Sequence, residues 1–442
     1  MTATTPHEIR TRPERLTNDD DLFIRMEHAL GLPVVNQAIW RLPGTFDRTH
    51  FAELAEDLRH GRLSKLVKRT PFPLRDRWIH TPDAGRVEYS TDTVAAADCL
   101  SWAATQLRVG VDSVAGPSWS LAAAYAPDTD ETLVSWVSSH SIGDGGAVIT
   151  GVEEACRHID FDTANGTADL GDAIREGASA LTTSARAAWQ LARRSSSPNA
   201  PAFVPKPAPV QTTTWSGINP SIVVSLPDTE FDVAAKSVGG TANTLFTAIV
   251  LGILEATGAV GEGDEIGISL PMSMRTDTDR RANATTGVTA RVRVDSARYG
   301  DLTPIRTASK AAYRQPQDGP GALTLLGQVA QPLGDGIVRK LAADSRAPLC
   351  LASNLGELSD AFAGLGAEPG RVAMRSMTVG ASLETMRRMA GGVSGWSSRS
   401  AGHVTLCVTA LDPDRVPDVD VLSALVRDEL GKWGINATFW GS

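Results

Sequence analysis

The stretch "SWVSSHSIGDGGAVITG", residues 135–151, joins a strand-like run to a glycine-rich turn and then to a helical pattern, with His140 where they meet. Alternation with period two puts His140 on the same face as Trp136 and Val134, while Ser139 points the other way. From Gly146 onward Val148, Val152 and Cys156 recur every four residues, which predicts a helix. Gly143 and Gly145 permit a tight turn between strand and helix. A neutral imidazole delivered to such a turn can take a proton from a hydroxyl or amine attacking a carbonyl. A hydrogen-bonded turn histidine fits the same letters, and the stretch alone leaves both open. Asp144, four residues on, suits a brace that pairs with an arginine rather than a substrate contact.

Upstream, "SWSLAAAYAPDTDETLVSWVSSH" reads as a hairpin whose turn is the polar "PDTDE". The first 16 residues are polar and read as an arm. "LTNDDDLFIRMEHALG" then reads as an amphipathic helix, "NQAIWRLPG" as a strand stopped by Pro43-Gly44, and "TFDRTHFAELAEDLRHG" as a helix with Gly61 at its C-terminal cap. Residues 171–194 carry Ile174, Ala178, Leu181, Ala185, Ala188 and Ala192 at steps of four and three, the pattern of one long helix. "SSSPNAPAFVPKPAPVQ", residues 195–211, is a Pro-rich linker. After it come the strands "SIVVSLP", "EIGISLPMSMR", "TGVTARVRVD", "APLCLASNLGEL", "GRVAMRSMTVG" and "HVTLCVTALDPD". The helix "TANTLFTAIVLGILEATG", which Asn243 can cap and Gly258 can end, lies among them, and "VDVLSALVRDELGKWG" closes the chain. Strands and helices mix without strict alternation, which predicts an α/β (α+β) protein with mixed sheets in two lobes. The boundaries are 1–170 for the first lobe, 171–211 for helix and linker, and 212–442 for the second lobe.

The 442 residues suit two lobes, and 42 Lys+Arg against 51 Asp+Glu give a net charge of −9. That balance argues against a nucleic-acid partner and gives no attraction to anionic lipid. Cys99, Cys156, Cys350 and Cys407 lie far apart with no metal-ligand spacing, so neither a zinc site nor a disulfide framework is expected. They suit reduced thiols in a cytoplasmic protein. No secretory leader or transmembrane run is read, and peripheral membrane contact is left open. No GxxxxGK[ST], GxSxG, HExxH or GxGxxG motif in its proper setting occurs. His403 reads as a strand-end histidine and Cys156 as inert packing. Trp215, Trp396 and Trp440 read as aromatics of the core or of a passage wall. The basic "KLVKRTPFPLRDRW", residues 65–78, suits either an anionic group or a solvated surface.

The ordered set of these segments resembles the CoA-dependent acyltransferase superfamily, which includes condensation domains and the wax ester synthase/diacylglycerol acyltransferase family. "SHSIGDG" is similar to its HHxxxDG signature, and "LTNDDDLFIRME" to "LSxxDxxFLxxE". "PSWSLAAAYA", "TANTLFTAIVLGIL", "ISLPMSMRTD", "ANATTG" and "LASNLGE" resemble further family elements in the same order. The wax ester synthase/diacylglycerol acyltransferase branch is the nearest. The resemblance implies two chloramphenicol-acetyltransferase-like lobes in a V with a central tunnel. It implies His140 as catalytic base, and Asp144, Gly145 and Arg275 as structural residues beside it. Ser139, Trp136, Asn283, Ser353 and Asn354 are the implied tunnel residues. Ser139 stands where the family has its first histidine. The implied activity is transfer of an acyl group from acyl-CoA to a hydroxyl of a lipid or other hydrophobic acceptor, with no bound cofactor or metal. Two alternatives accompany it: a condensation-type ester- or amide-forming enzyme fed by an acyl carrier protein, and a non-catalytic binding protein on the same scaffold.

Overall fold

The computed structural model describes residues 14–70, 75–162, 215–276, 279–314 and 346–441, with isolated positions between them. Apart from Thr182, the long helix expected over 171–194 lies outside the described residues, and so does most of the linker at 195–211. The first half runs α1 (Asn18–His28), β1 (Val34–Pro43), α2 (Arg48–His60), β2 (Lys65–Lys68), β3 (Arg77–His80), β4 (Gly85–Thr93), α3 (Cys99–Leu107), β5 (Trp119–Ala126), β6 (Glu131–Ser139) and α4 (Gly145–Cys156). The second half supplies β7 (Ser221–Pro227), β8 (Glu265–Ser273), β9 (Thr285–Arg293), β10 (Cys350–Glu357), β11 (Arg371–Thr378), β12 (Val393–Ser400), β13 (His403–Ala410) and β14 (Thr438–Phe439).

The described strands form a five-stranded sheet ordered β11-β1-β6-β5-β4 and a seven-stranded sheet ordered β14-β7-β13-β12-β10-β8-β9, beside the small pair β2-β3. Both larger sheets are mixed, as expected: β4 runs parallel to β5 beside antiparallel neighbours, and β10 runs parallel to both β8 and β12. β11 belongs by sequence to the second half yet pairs antiparallel with β1, from Val34↔Thr378 to Arg41↔Arg371. Residues 212–442 are therefore not a self-contained unit of pairing, since one strand completes the first sheet. Ser398 and Ser400 of β12 bind the backbone of Val372, at 2.8 and 3.0 Å, and tie β11 back to the second sheet.

The apolar patterning explains where the core lies. Helix Ala242–Ala256 is buried at every position from Thr244 to Leu254, so it is the central helix of the second sheet's core. Its N-cap is Thr241, whose side chain accepts from Thr244 N–H, and not the expected Asn243. Asn243 lies inside the first turn and meets Asn354 instead. The helix ends at Ala256, and Gly258 follows at φ +76°, a conformation open to glycine. On the first sheet, Trp119 and Trp136 stack with ring centres 4.8 Å apart. A third cluster, including Ile39, Ala373, Val223 and Cys407, takes side chains from both sheets.

Candidate active site

β6 is buried from Thr132 to Ser139 and stops there, one residue short of the expected end. His140 instead begins a single 3₁₀ turn, His140–Ile142, capped by Ser139, whose Oγ lies 2.8 Å from Ser141 Oγ. The strict alternation that put His140 on Trp136's face ends before His140 is reached. Asn36 of β1 donates to Gly143 O at 2.7 Å and fixes the far side of the turn.

The ring of His140 is covered by Phe23 of α1, with centroids 3.8 Å apart and planes 20° apart. The residue is partly exposed, while its Nδ1 is fully enclosed. Burial holds the imidazole pKa below its usual 6.5, against the opposing pull of Asp144, Asn283 and Asp20. At neutral pH the ring is therefore uncharged, as a base requires.

Asp144 accepts from Arg275 Nη2 at 2.9 Å and from Ala147 N at 2.8 Å through Oδ1. Its Oδ2 accepts from Ala284 N at 2.7 Å and from Thr285 Oγ1 at 2.8 Å. One carboxylate thus caps α4 and latches the turn to the segment between β8 and β9. Arg275, the partner that the resemblance implies, also donates to Arg281 O and Ala282 O. A Cβ on Gly145 would stand 3.3 Å from Leu355 of β10 and 3.4 Å from Trp396 of β12. The residues at 140–145 therefore sit where the two sheets meet.

The other expected site residues divide, with Ser139 and Asn283 bonded to the turn and Trp136 packed in the core. Trp136 is fully buried against Trp119 in the first core, so it is a packing residue and not a passage wall. Ser139 is buried and serves as a cap. Asn283 is buried and bonds to α1 and to the turn. Ser353 is buried in β10. Asn354 is exposed and bonds Asn243 and Gly356 N. Phe23 and Asp20 fall on the fixed F and D of the LSxxDxxFLxxE pattern that this segment resembles, and the structure brings both to the turn, a place the letters alone do not give them. Asp20 is buried, accepts from Asn283 N and Nδ2 through Oδ1, and through Oδ2 takes the Thr17 backbone N–H.

Two of the basic residues in segment 65–78 are paired within the fold. Lys65 is buried, with its ammonium 4.6 Å from the Trp78 ring centre and 3.8 Å from Glu14, and Arg69 pairs with Asp76 at 2.8 Å. Trp440 is buried and Trp215 donates to Ala381 O, both packing roles. His403 opens β13 with Nδ1 at Ala401 O, and burial pushes the Cys156 thiol up to about 12. No metal was expected. Among the described residues Glu27, His28 and Asp112 bring three candidate ligand atoms within 4.8 Å of one another. No single described helix is long and apolar enough to cross a membrane.

Two-lobed structures of one class are similar to this arrangement over nearly the whole chain. The condensation domain of the monacolin K polyketide synthase superposes with a TM-score of 0.54 at 14% identity, covering 96% of each chain. The wax ester synthase/diacylglycerol acyltransferase from Marinobacter aquaeolei VT8 gives 0.55 at 14% identity, covering 95% of this chain and 100% of that one. The fold is that of the condensation-type acyltransferases. The epimerization domain of the third module of tyrocidine synthetase B gives 0.53 at 14% identity and 98% of both chains. At these identities the likeness is one of fold. No family model and no curated protein sequence matches the chain.

Proposed function

We propose that the protein is an acyltransferase that moves an acyl group from a thioester to a hydroxyl of a hydrophobic acceptor, with His140 as general base. The observation that carries this is the state of His140: a ring kept uncharged by burial, clamped by Phe23 and presented on a turn that Asp144 latches between the two sheets. In the proposed reaction His140 takes the hydroxyl proton as the acceptor oxygen attacks the thioester carbonyl. The tetrahedral species collapses with cleavage of the C–S bond, and the imidazolium returns the proton to the leaving thiolate. Acyl-CoA is the proposed donor and no bound cofactor is required.

The decisive assay presents acyl-CoA or an acyl carrier protein with alcohols and amines of graded chain length and measures thiol release and product. Acyl-CoA with an apolar alcohol is the expected productive pair. A preference for carrier-bound acyl groups and amines would favour the condensation-type alternative. His140→Ala is expected to lower turnover by about 100- to 10,000-fold, the usual contribution of a general base. Undiminished transfer in that variant removes His140 from the role, and no transfer by the wild-type chain with any donor leaves a binding protein on this scaffold.

A further inference from the structure

Arg375 lies in the middle of β11, and only 3% of the residue is exposed. Opposite it on β1 stands Gln37, which is fully buried. Nε and Nη2 of Arg375 both donate to Gln37 Oε1, at 2.9 and 2.7 Å. Gln37 is itself pinned, since its Nε2 donates to Ala103 O of α3 at 2.7 Å and to Ser135 Oγ of β6 at 3.0 Å. The hydrogen-bond partner of this buried cation is therefore a neutral amide. Among the described residues its Nη1 has no hydrogen-bond partner, and no carboxylate pairs with the group. Arg41, Arg275 and Arg298, also largely buried, each pair with a carboxylate.

Period two places Arg375 on the face of β11 that carries Ala373, which packs with Val223 and Cys407 of the second sheet. The charge thus sits between the two sheets. The thiols of Cys99 and Cys407 are the groups that act on it there. Burial pushes them up to about 11 and about 12, so they bring no negative charge at neutral pH. A guanidinium does not shed its proton to escape such a place, and a buried charge without a counter-charge is strongly destabilising.

We propose that Arg375 is an anion-binding residue whose Nη1 holds one small monovalent anion, a halide or a carboxylate, between the two sheets. One negative charge balances the guanidinium, whereas a divalent sulfate or phosphate would bury an excess charge of its own. The guanidinium is weakly hydrated and its surroundings are apolar side chains and uncharged thiols, which suits an anion that gives up water readily. The site is independent of His140 and of the acyl-transfer reading.

Two measurements on the full chain test this. Thermal scans at constant ionic strength replace a bulky sulfonate stepwise with chloride, bromide or formate. A saturable rise in melting temperature of about 1–2 °C is expected in the wild type and none in Arg375→Gln. A response to halides alone assigns a free inorganic ion, and a stronger response to formate assigns a carboxylate ligand. The second measurement needs no variant and stands if Arg375→Gln does not fold. Crystals grown in bromide or in bromoacetate are expected to show an anomalous bromine peak beside Nη1. Identical scans for the wild type and a folded Arg375→Gln overturn the proposal, and so does the absence of that peak with both probes.

Discussion

At His140 the environment pulls both ways, and burial is the larger influence. Asp20 from α1 and Asp144 from the cap of α4 raise the proton affinity, with Arg275 engaged on Asp144, yet the net displacement is downward from 6.5. Since the base must be unprotonated, the acid limb of kcat/KM is expected below pH 6.5, and a pH–rate profile checks it. Asp20→Asn removes a negative neighbour and should move that limb lower still. Glu27 behaves oppositely: burial and Asp112 lift its carboxyl from 4.5 to about 7. The folded chain holds that proton between those values while the unfolded chain has lost it, so stability falls as pH rises through the window. Glu27→Gln should therefore raise the melting temperature at pH 8 and leave it nearly unchanged at pH 4, as read by thermal scans. Asp144 and Arg275 do pair, as the resemblance implies. Trp136 was misplaced because alternation names a face of the strand and says nothing of the second tryptophan packed over it. Phe23 stands at a fixed letter of the opening pattern, but its stack on His140 joins segments far apart in the chain, so its partner is not legible there.

The turn between β6 and α4 concentrates its bonding on a single carboxylate. Asp144→Ala would remove the cap of α4 and leave Arg275, a largely buried guanidinium, without its carboxylate. Breaking a buried pair from one side costs about 3–5 kcal/mol, so urea unfolding is expected to show a loss of that size. Because the whole turn loosens, activity should fall in the same variant even at temperatures where it remains folded. The elements themselves were mostly legible: periodicity found the β5–β6 hairpin, α4 and the strands of the second half. What it missed were end effects. Ser139 caps a short 3₁₀ turn and ends β6 early, and Thr241 rather than Asn243 caps the central helix, because a cap is chosen by backbone geometry two or three residues away.

Across the whole molecule, β11 decides how the halves depend on each other. Expressed alone, residues 1–211 lack that strand, so the edge of β1 and the apolar residues Ile39 and Leu133 that β11 helps to cover become exposed. This fragment is expected to be aggregation-prone by light scattering, and soluble when co-expressed with residues 212–442. The Pro-rich boundary was visible in composition, but strand exchange across it was not, since register is written in contacts between distant segments and not in local letters. The β11–β1 ladder runs over eight paired positions. Peeling it apart would break a row of backbone hydrogen bonds at once. The two halves are accordingly fastened to each other through main chain as well as side chains, and parting them there means undoing a sheet and not only a side-chain seam.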